Sequence, residues 1–340
     1  MKKFSIGIDI SKEKINICLR SGMKNVHEDE SANNISAIKR HVRKCLKDFG
    51  ISVGEIVVCA EFTGRYIYPL VCACHEMGLF LWMEDPTRIR HSFGIMRGKD
   101  DRIDARRIAE YAERFQDKAV AYGMPDKTLS SIKELLSDRD MLLEDRKRYH
   151  TQLHDQKNFM DADDYSRKKR MWESVIKTID RQLEFVGEEL DRLVASDDKI
   201  KEQVRLLKTV DGVGDIVALY MVVATMGFTK FKNPRQFYCY AGLAPFKYTS
   251  GKSIHSRAKV SQRANKGVKS ILHLAAVSVA TRVKGSDMNL YYERKKAEGK
   301  HSMSILNAVR AKLVSRMFAV VRRNSDYIRN YDVPNDNKKY

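Results

Sequence analysis

The sequence contains no apolar segment long enough to cross a membrane. No run of about 18 uncharged apolar residues occurs anywhere in its 340 residues. The first residues, MKKFSIGIDI, also lack the basic-then-apolar order of a secretion leader. We therefore expect a cytoplasmic protein that has no membrane partner.

The six cysteines form no disulfide or zinc framework that the sequence reveals. Most of them lie within apolar runs such as IVVCAE and LVCAC. Cys72 and Cys74 with His75 resemble half of a zinc site, but no second pair of ligands follows at a suitable spacing. We interpret the cysteines as small, reduced core residues.

Acidic residues are absent from one long segment of a chain that is otherwise rich in both charges. Between Ile216 and Ser286 there are twelve Lys and Arg residues and no Asp or Glu, and the whole chain has a net charge of +19. A solvated face rarely has one sign of charge over such a length. Because cationic side chains displace the counterions of a polyanion, nucleic acid is the leading class of partner.

The first 120 residues show an alternation of strand and helix patterns that is typical of an α/β domain. A strand hairpin is predicted over Phe4 to Leu19, and a continuous apolar strand over 55–61. The remaining predicted elements are helices over 34–49, 66–77 and 101–115 and a strand over 79–83. A chain of this length suits two or more domains, and we place the first over residues 1–122.

The rest of the chain has a mostly helical pattern. Two amphipathic segments, separated by the polar stretch 161–170, predict an antiparallel helical hairpin over residues 123–203. This hairpin is either a spacer or a coiled-coil dimerisation element, and we favour dimerisation. In residues 204–335, Gly212-Val213-Gly214 fits a helix-hairpin-helix turn that could hold a phosphate, or an ordinary helix connection.

Four acids of the first domain are predicted to meet at one edge of its sheet. Asp9 lies in the first strand, Glu61 ends the apolar strand, and Asp101 and Asp104 open a helix. Strand ends converge in such a sheet, and an acid at the position of Glu61 is costly unless it is paired or binds metal. Four carboxylates would repel one another without cations between them, and two Mg²⁺ (or Mn²⁺) ions there could support phosphoryl transfer.

Each acid also has a structural interpretation. Asp101 could cap its helix, and the neighbouring Asp100 could be the metal ligand in its place. Asp104 could pair with Arg107 or Arg102. We prefer Asp101 because its three-residue spacing to Asp104 puts both acids on one helix face.

Ser250 is the candidate nucleophile of the basic segment CYAGLAPFKYTSGKSIHSRAKVSQRANKG. A serine hydroxyl is a weak nucleophile until it is activated, and a Ser-Gly pair is usually only a turn. A phosphate that is bound to metal and held by nearby cations would lower the barrier to attack. The cations in question are Lys252, Arg257, Lys259 and Arg263.

Together these motifs resemble the transposases of the insertion sequence one-ten family, which are bacterial bridge-RNA-guided serine recombinases. The likeness spans nearly the whole chain. It rests on GIDISK with Asp9, AEFTGRY with Glu61, KDDRIDARRIAEYA with Asp101 and Asp104, and AGLAPFKYTSGKS with Ser250. The chain departs from the family at Asp100, where Ser or Thr is usual, and at Ala264, where Gly commonly precedes Asn265.

The resemblance implies a fold and a reaction. The fold would be an RNase H/RuvC-like domain with an Asp-Glu-Asp-Asp metal site, a helical-hairpin linker, and a mostly helical transposase domain with the catalytic serine. Ser250 would attack the scissile phosphate to give a covalent phosphoserine linkage, which needs no ATP. The absence of a GxxxxGK[ST] phosphate loop agrees with this.

The resemblance also implies partners. These are donor and target DNA, a noncoding guide RNA, and further copies of the chain in a dimer or tetramer that joins the acidic domain of one subunit to the serine domain of another. The basic surface would hold both nucleic acids, mostly by backbone and shape. Lys252, Arg257, Lys259 and Arg263 are the phosphate contacts that we expect.

Two other functions fit parts of the sequence. A metal-dependent nuclease or Holliday-junction resolvase would use the same four acids with water as the nucleophile, so Ser250 would be dispensable. A non-catalytic nucleic-acid-binding protein would need neither metal nor Glu61. Substitutions at Ser250 and Glu61 therefore separate the three hypotheses.

Overall fold

The computed structural model describes residues 2–94, 100–246, 249–250, 254–255, 259–260 and 264–329. The chain folds as two compact units, residues 1–125 and 126–340. Each unit has its own apolar core. The division into three regions at residues 122 and 203 stays a prediction, and the helical hairpin belongs to the second compact unit.

The first unit alternates strands and helices, as predicted. Its strands are β1 (Phe4–Ile10), β2 (Lys14–Ser21), β3 (Lys24–Ala32), β4 (Ile56–Glu61) and β5 (Phe80–Glu84). Its helices are α1 (Ile35–Asp48), α2 (Tyr68–Glu76), α3 (Pro86–Ser92) and α4 (Asp101–Arg114).

These strands form one mixed sheet with the order β3-β2-β1-β4-β5. β2 is antiparallel to β1 and β3, β4 is parallel to β1, and β5 is parallel to β4. Ile6 and Ile8 of β1 pack with Ile38 of α1 and Leu70 of α2 on one face, and α4 covers the other face. This is an RNase H/RuvC-like domain, so the predicted fold class is confirmed.

Two elements of the first unit were not predicted. β3 has the sequence KNVHEDESA, in which neither face is apolar, because it is the edge strand and most of its side chains reach solvent. α3 is only seven residues long and begins with Asp85 as its N-cap, whose side chain accepts a hydrogen bond from the Thr87 amide. Neither a polar edge strand nor so short a helix leaves an apolar repeat in the sequence.

The second unit is mostly helical. Its long helices are α5 (Lys127–Gln156) and α6 (Ala162–Ala195), which form the hairpin. The shorter helices that follow are α7 (Asp198–Lys208), α8 (Asp215–Thr225) and α9 (Pro234–Tyr240). Four two-residue strands come next, β6 (Pro245–Phe246), β7 (Thr249–Ser250), β8 (Ile254–His255) and β9 (Lys259–Val260). The last helices are α10 (Lys266–Thr281), α11 (Asp287–Ala297) and α12 (Ser302–Arg323).

The helical hairpin is present, but its connection is shorter than the sequence pattern indicates. The polar stretch 161–170 is almost entirely part of α6, which begins at Ala162 with Asp161 as its N-cap. Its exposed charges suit a solvated helix, and Lys169 pairs with Glu173 one turn on. The hairpin base is buried in the core of the second unit through side chains such as Ile132, Leu136, Val186 and Leu190.

The helix-hairpin-helix element is formed by α7 and α8. Gly212 has a φ of +82°, and a Cβ on it would lie 2.8 Å from Cβ of Val279 in α10. Packing therefore requires this glycine. Asp215 occupies the first turn of α8 and pairs with Lys208, so the observed contacts support the interpretation as a helix connection more directly than the phosphate-binding one.

Among the residues that the structure describes, no helix has the length and apolar character that a membrane span needs.

Candidate active site

Helix α4 lies unusually close to strand β1. A Cβ on Gly7 would lie 2.1 Å from the backbone N of Ala109 and 2.3 Å from the carbonyl O of Ala105. Only glycine lets two backbones approach in this way. Ser5, two residues earlier, donates a hydrogen bond from its Oγ to the Ala109 carbonyl at 3.0 Å.

This contact places Asp9 beside the first turn of α4. Alternate residues of a strand share a face, so Ser5, Gly7 and Asp9 all face the helix. The contacts move from Ala109 toward Ala105 as β1 advances, which shows that strand and helix run in opposite directions. Asp9 is therefore next to the end of α4 at which that helix begins, and it is partly exposed.

Glu61 lies at the same edge of the sheet. β1 and β4 pair in parallel through Ile8 and Ala60, and Asp9 and Glu61 are the next residues of the two strands. Cys59, which shares a face with Glu61, packs among side chains of α4. Glu61 therefore points to the α4 side of the sheet, as Asp9 does, and it is also partly exposed.

The start of α4 contributes the other two acids. Asp100 is the N-cap, and its Oδ1 accepts a hydrogen bond from the Arg102 amide at 2.9 Å. Asp104 pairs with Arg107, whose Nη1 lies 2.8 Å from Oδ1. Asp101 lies in the first turn of α4, and its carboxylate forms no hydrogen bond or ion pair with the residues that the structure describes.

Two ion pairs hold α4 in place across the sheet. Arg106 donates two hydrogen bonds of 2.6 Å to Glu28 of β3. Arg20 of β2 donates to Glu113 at 2.6 Å, and both of these side chains are mostly buried. The position of α4, and with it that of Asp101, is therefore fixed by charge as well as by packing.

A fifth acid at this edge was missed by the sequence analysis. Glu84 ends β5 directly opposite Glu61 and is only 6% exposed. It accepts hydrogen bonds from the Tyr111 hydroxyl at 3.1 Å and the Asp85 amide at 2.8 Å. The signal was an acid that ends an apolar strand, as at Glu61, but the predicted strand stopped at Met83.

The donor set at this edge fits a hard divalent cation. Carboxylate oxygens are the ligands that Mg²⁺ and Mn²⁺ prefer. Asp9, Glu61, Asp101 and Asp104 come from three elements that meet on one side of the sheet, and Arg107 and Arg88 are the cations that pair with acids there. These four residues would hold the metal, and the fold of the domain implies dependence on a divalent ion.

Ser250 lies in a nested β-hairpin of the second unit. β6 pairs with β9 and β7 pairs with β8, with Ser250 opposite Ile254. Ser250 is thus the last residue of β7, and its partner Ile254 is the first residue of β8. Lys252, Arg257 and Arg263 lie outside the described residues, as do the side chains of Ser250 and Lys259.

Nearly all of the net positive charge belongs to the part of the chain that contains this hairpin. Residues 201–340 hold 27 of the 63 Lys and Arg residues but only 9 of the 44 Asp and Glu residues, which gives them a net charge of +18. Arg235 and Lys266, near the two ends of the hairpin in sequence, are exposed. This region has the composition of a polyanion-binding surface.

Two family models match the chain, and together they cover most of it. A transposase model for the DEDD domain of IS110 elements matches residues 6–156. A model described as the transposase IS116/IS110/IS902 family matches residues 204–293. The first match contains the four acids and the second contains Ser250.

Curated relatives align along almost the whole chain. The pilin gene-inverting proteins of Moraxella bovis and Moraxella lacunata are each 23% identical over 96% of this chain and 98% of their own length. An uncharacterized 43.6 kDa protein of the insertion element IS110 from Streptomyces coelicolor is 31% identical over 36% of this chain and 29% of its own.

Solved structures of RuvC align with the first part of the chain. A RuvC of T. thermophilus in complex with a Holliday junction substrate is 14% identical and covers 35% of this chain and 99% of that chain, with a TM-score of 0.28. A second Thermus thermophilus RuvC structure is 13% identical to this chain, with a TM-score of 0.27. The fold assignment is carried by the strand order and the family match.

Proposed function

This chain belongs to the IS110 family of insertion-sequence transposases, and we propose that it recombines DNA through a covalent phosphoserine intermediate on Ser250. The observation that carries the proposal is the convergence of Asp9, Glu61 and the start of α4 on one side of the sheet. A second, strongly basic region carries Ser250 as the last residue of strand β7, paired with Ile254 of β8. The two together supply metal ligands and a nucleophile.

In the proposed reaction, Ser250 Oγ attacks a phosphodiester. A bond forms between Oγ and phosphorus, the bond to one bridging oxygen breaks, and that oxygen leaves as a DNA hydroxyl end that gains the proton lost by the serine. Attack of a hydroxyl end on the phosphoserine reverses these steps and restores a phosphodiester. The bond energy is conserved, so no nucleotide cofactor is consumed.

The residues of the first unit hold the metal and set its surroundings. Asp9, Glu61, Asp101 and Asp104 would bind two Mg²⁺ ions, which supply Lewis-acid stabilisation of the phosphate charge. Arg107 fixes the Asp104 carboxylate by its ion pair. The Tyr111 hydroxyl and the Asp85 amide donate hydrogen bonds to Glu84, the fifth acid, which pairs with Glu61 across the two strands.

We propose that a noncoding RNA chooses the DNA that is cut. The charge of residues 201–340 supports binding to two polyanions at once, because RNA and DNA both present phosphates. Arg257 and Arg263 with Lys252 and Lys259 are the proposed phosphate contacts near Ser250. Base pairing would supply the sequence specificity that such contacts lack.

We propose that the active assembly is a dimer or tetramer joined through the helical hairpin. Met141 of α5 and Phe185 of α6 are 58% and 54% exposed. Arg146 pairs with Asp180 across the two antiparallel helices. Met141 and Phe185 are each five residues from this pair and therefore lie at the same level of the hairpin. Exposed apolar side chains at one level favour association.

The decisive experiment is a search for DNA that is covalently bound to the protein. The full chain would be incubated with Mg²⁺, RNA transcribed from the flanks of the element, and end-labelled junction DNA, and then denatured. We expect label that migrates with the protein and is absent for Ser250→Ala. Ser253→Ala, in the same segment, is the matched control and should retain the label.

The second candidate is a metal-dependent junction resolvase that uses water, which the RuvC-like domain also suits. It predicts cleaved DNA without attached protein, at the same rate in the wild type and in Ser250→Ala. Loss of all cleavage in Asp9→Asn is common to both candidates. Cleavage that persists without divalent metal would contradict both of them.

A further inference from the structure

A cluster of metal-binding residue types lies between the edge strand β3 and helix α1. It consists of His27 on β3 and of His41 and Cys45 on α1, and one potential ligand atom from each residue lies within 4.8 Å of those of the other two. Asp29 of β3 is next to the two histidines. None of these residues belongs to the four-acid site, which lies on β1, β4 and α4.

The spacing of the ligands follows from the secondary structure. His41 and Cys45 are four residues apart on α1 and therefore share one helix face. His27 and Asp29 are two residues apart on β3 and share one face of the strand. The first pair thus meets the second across the gap between helix and edge strand, and the rings of His27 and His41 stack with centroids 6.1 Å apart.

The separation of the His41 and Cys45 ligand atoms suits a tetrahedral ion. Nε2 of His41 lies 3.6 Å from Sγ of Cys45. In a tetrahedral zinc site with bonds of about 2.0–2.1 Å to nitrogen and 2.3 Å to sulfur, the two ligand atoms are about 3.6 Å apart. The His41 and Cys45 atoms are therefore already at the separation that zinc requires.

Asp29 completes the arrangement from outside. Its Oδ2 lies 3.5 Å from Nδ1 of His41, the ring nitrogen that does not face Cys45. Histidine ligands of zinc commonly donate their second N–H to a carboxylate, which fixes the ring and its tautomer. The position of Asp29 is the one expected for such an outer partner.

We propose that His27, His41 and Cys45 bind a zinc ion, with Asp29 as the outer carboxylate and a water molecule in the fourth position. The ion ties the polar edge strand β3, which has few apolar contacts of its own, to helix α1. This site differs from the four-acid site in its ligands, because nitrogen and sulfur select zinc where carboxylates alone select Mg²⁺.

The test is a titration of the metal-free full chain with Co²⁺, followed by its absorption spectrum. Cobalt bound by a thiolate gives a strong near-ultraviolet charge-transfer band, whereas cobalt in an all-oxygen site does not. We expect the band to saturate at one equivalent per chain and to vanish on addition of Zn²⁺. Cys45→Ser should remove it, and Cys74→Ser, a buried cysteine of the same unit outside the cluster, should keep it.

A second variant guards against misfolding of Cys45→Ser. The His27 side chain is 35% exposed, so His27→Ala removes a ligand at little cost to the core. We expect it to lower the Zn²⁺ affinity at least tenfold and to keep the circular dichroism spectrum of the wild type. Absence of a thiolate band in the wild type, or a band that both variants retain, would overturn the proposal.

Discussion

The two units of this protein prepare for DNA chemistry in different ways. In the first unit, geometry dominates: four acids are placed by strand register, by a glycine contact and by a capped helix. In the second unit, charge dominates. Residues 201–340 carry almost the whole net charge, and Ser250 lies on a strand of only two residues, β7. Metal ligands require fixed distances, whereas a polyanion is held by many cations with little demand on their exact spacing.

The largest expected effect comes from a substitution of Asp9, a proposed metal ligand of the first unit. Asp9→Asn keeps the shape of the side chain and removes its charge, so we expect strand cleavage to fall by at least about 10³-fold. Binding of RNA and DNA should stay within about twofold, because the cations of the second unit are unchanged. Cleavage assays with parallel gel-shift titrations measure both quantities. A loss of binding as large as the loss of cleavage would show that Asp9 is needed to bind nucleic acid and not only to cleave it.

The glycine contact is the next most sensitive point. Gly7→Ala would push α4 away from β1, and we expect a loss of about 1–3 kcal/mol or more in the free energy of unfolding. Gly54→Ala is the control, because nothing lies within 4 Å of a Cβ there. Urea unfolding of the two variants measures the difference, and equal midpoints would show that α4 does not depend on this close approach.

Assembly should respond to the exposed apolar pair on the hairpin. Met141→Lys combined with Phe185→Lys adds charge where we propose that subunits meet, and we expect the dissociation constant of the assembly to rise at least tenfold. Sedimentation velocity measures the change. Met23→Lys, which is 81% exposed but lies in the first unit, is the control, and a matching shift in it would refute the proposed location of the contact.

Charge in the second unit should set the salt dependence of binding. Arg235→Gln with Lys266→Gln removes two exposed cations, and we expect the slope of log affinity against log salt to fall by about 1 per lost phosphate contact. Lys24→Gln with Arg43→Gln removes two exposed cations of the first unit and should leave the slope unchanged. Equal slopes in the two double variants would contradict the prediction that nucleic acid binds mainly to cations of the second unit.

The smallest effect should come from the hydrogen bond between Tyr111 and Glu84. Tyr111→Phe removes the donor, and we expect a loss of about 1 kcal/mol of stability at pH 8. Burial and the Glu84 carboxylate raise the pKa of Tyr111 to about 12, against about 10 in the unfolded chain. The stabilisation by the Tyr111 hydroxyl is therefore complete below pH 10 and is lost as the pH rises toward 12.

Urea unfolding of the wild type and of Tyr111→Phe at several pH values between 8 and 11 tests this prediction. The difference between the two should be constant up to about pH 10 and should then shrink. A difference that grows with pH would show that the Tyr111 hydroxyl does not donate to Glu84.

The placement of Asp9 and Glu61 could be predicted because both depend on local signals. Asp9 lies near the end of an apolar strand and Glu61 ends another, and parallel strands end at a common edge. The pairing of the strands through Ile8 and Ala60 has the register that this prediction requires. Their role as metal ligands stays a prediction.

The sequence favoured Asp101 over Asp100 as a metal ligand only through its spacing to Asp104, and it did not show which of the two caps the helix, because that depends on where the helix begins. The structure puts Asp100 at the N-cap. Ser, Thr and Asp are interchangeable as N-caps, so the departure from the family at Asp100 leaves the cap intact. A helix that began one residue later would have Asp101 as its N-cap, so a shift of one residue decides which acid caps α4.

Long-range and polar features were the hardest to predict. β3 has no apolar face, so its strand pattern is absent from the sequence although it extends the sheet. The hydrogen bond of Glu84 depends on Tyr111, 27 residues away. The cluster of His27, His41 and Cys45 depends on the packing of β3 against α1, which no spacing along the chain reveals.

The close approach at Gly7 has a consequence for how such a protein can evolve. The strand and the helix that carry three of the four acids touch through backbone atoms, Ala105 O and Ala109 N. Their distance therefore does not depend on which apolar side chains fill the core elsewhere. Core residues can change by substitution while the acids keep their spacing, which agrees with the 23% identity of this chain to each of two relatives over nearly the whole length.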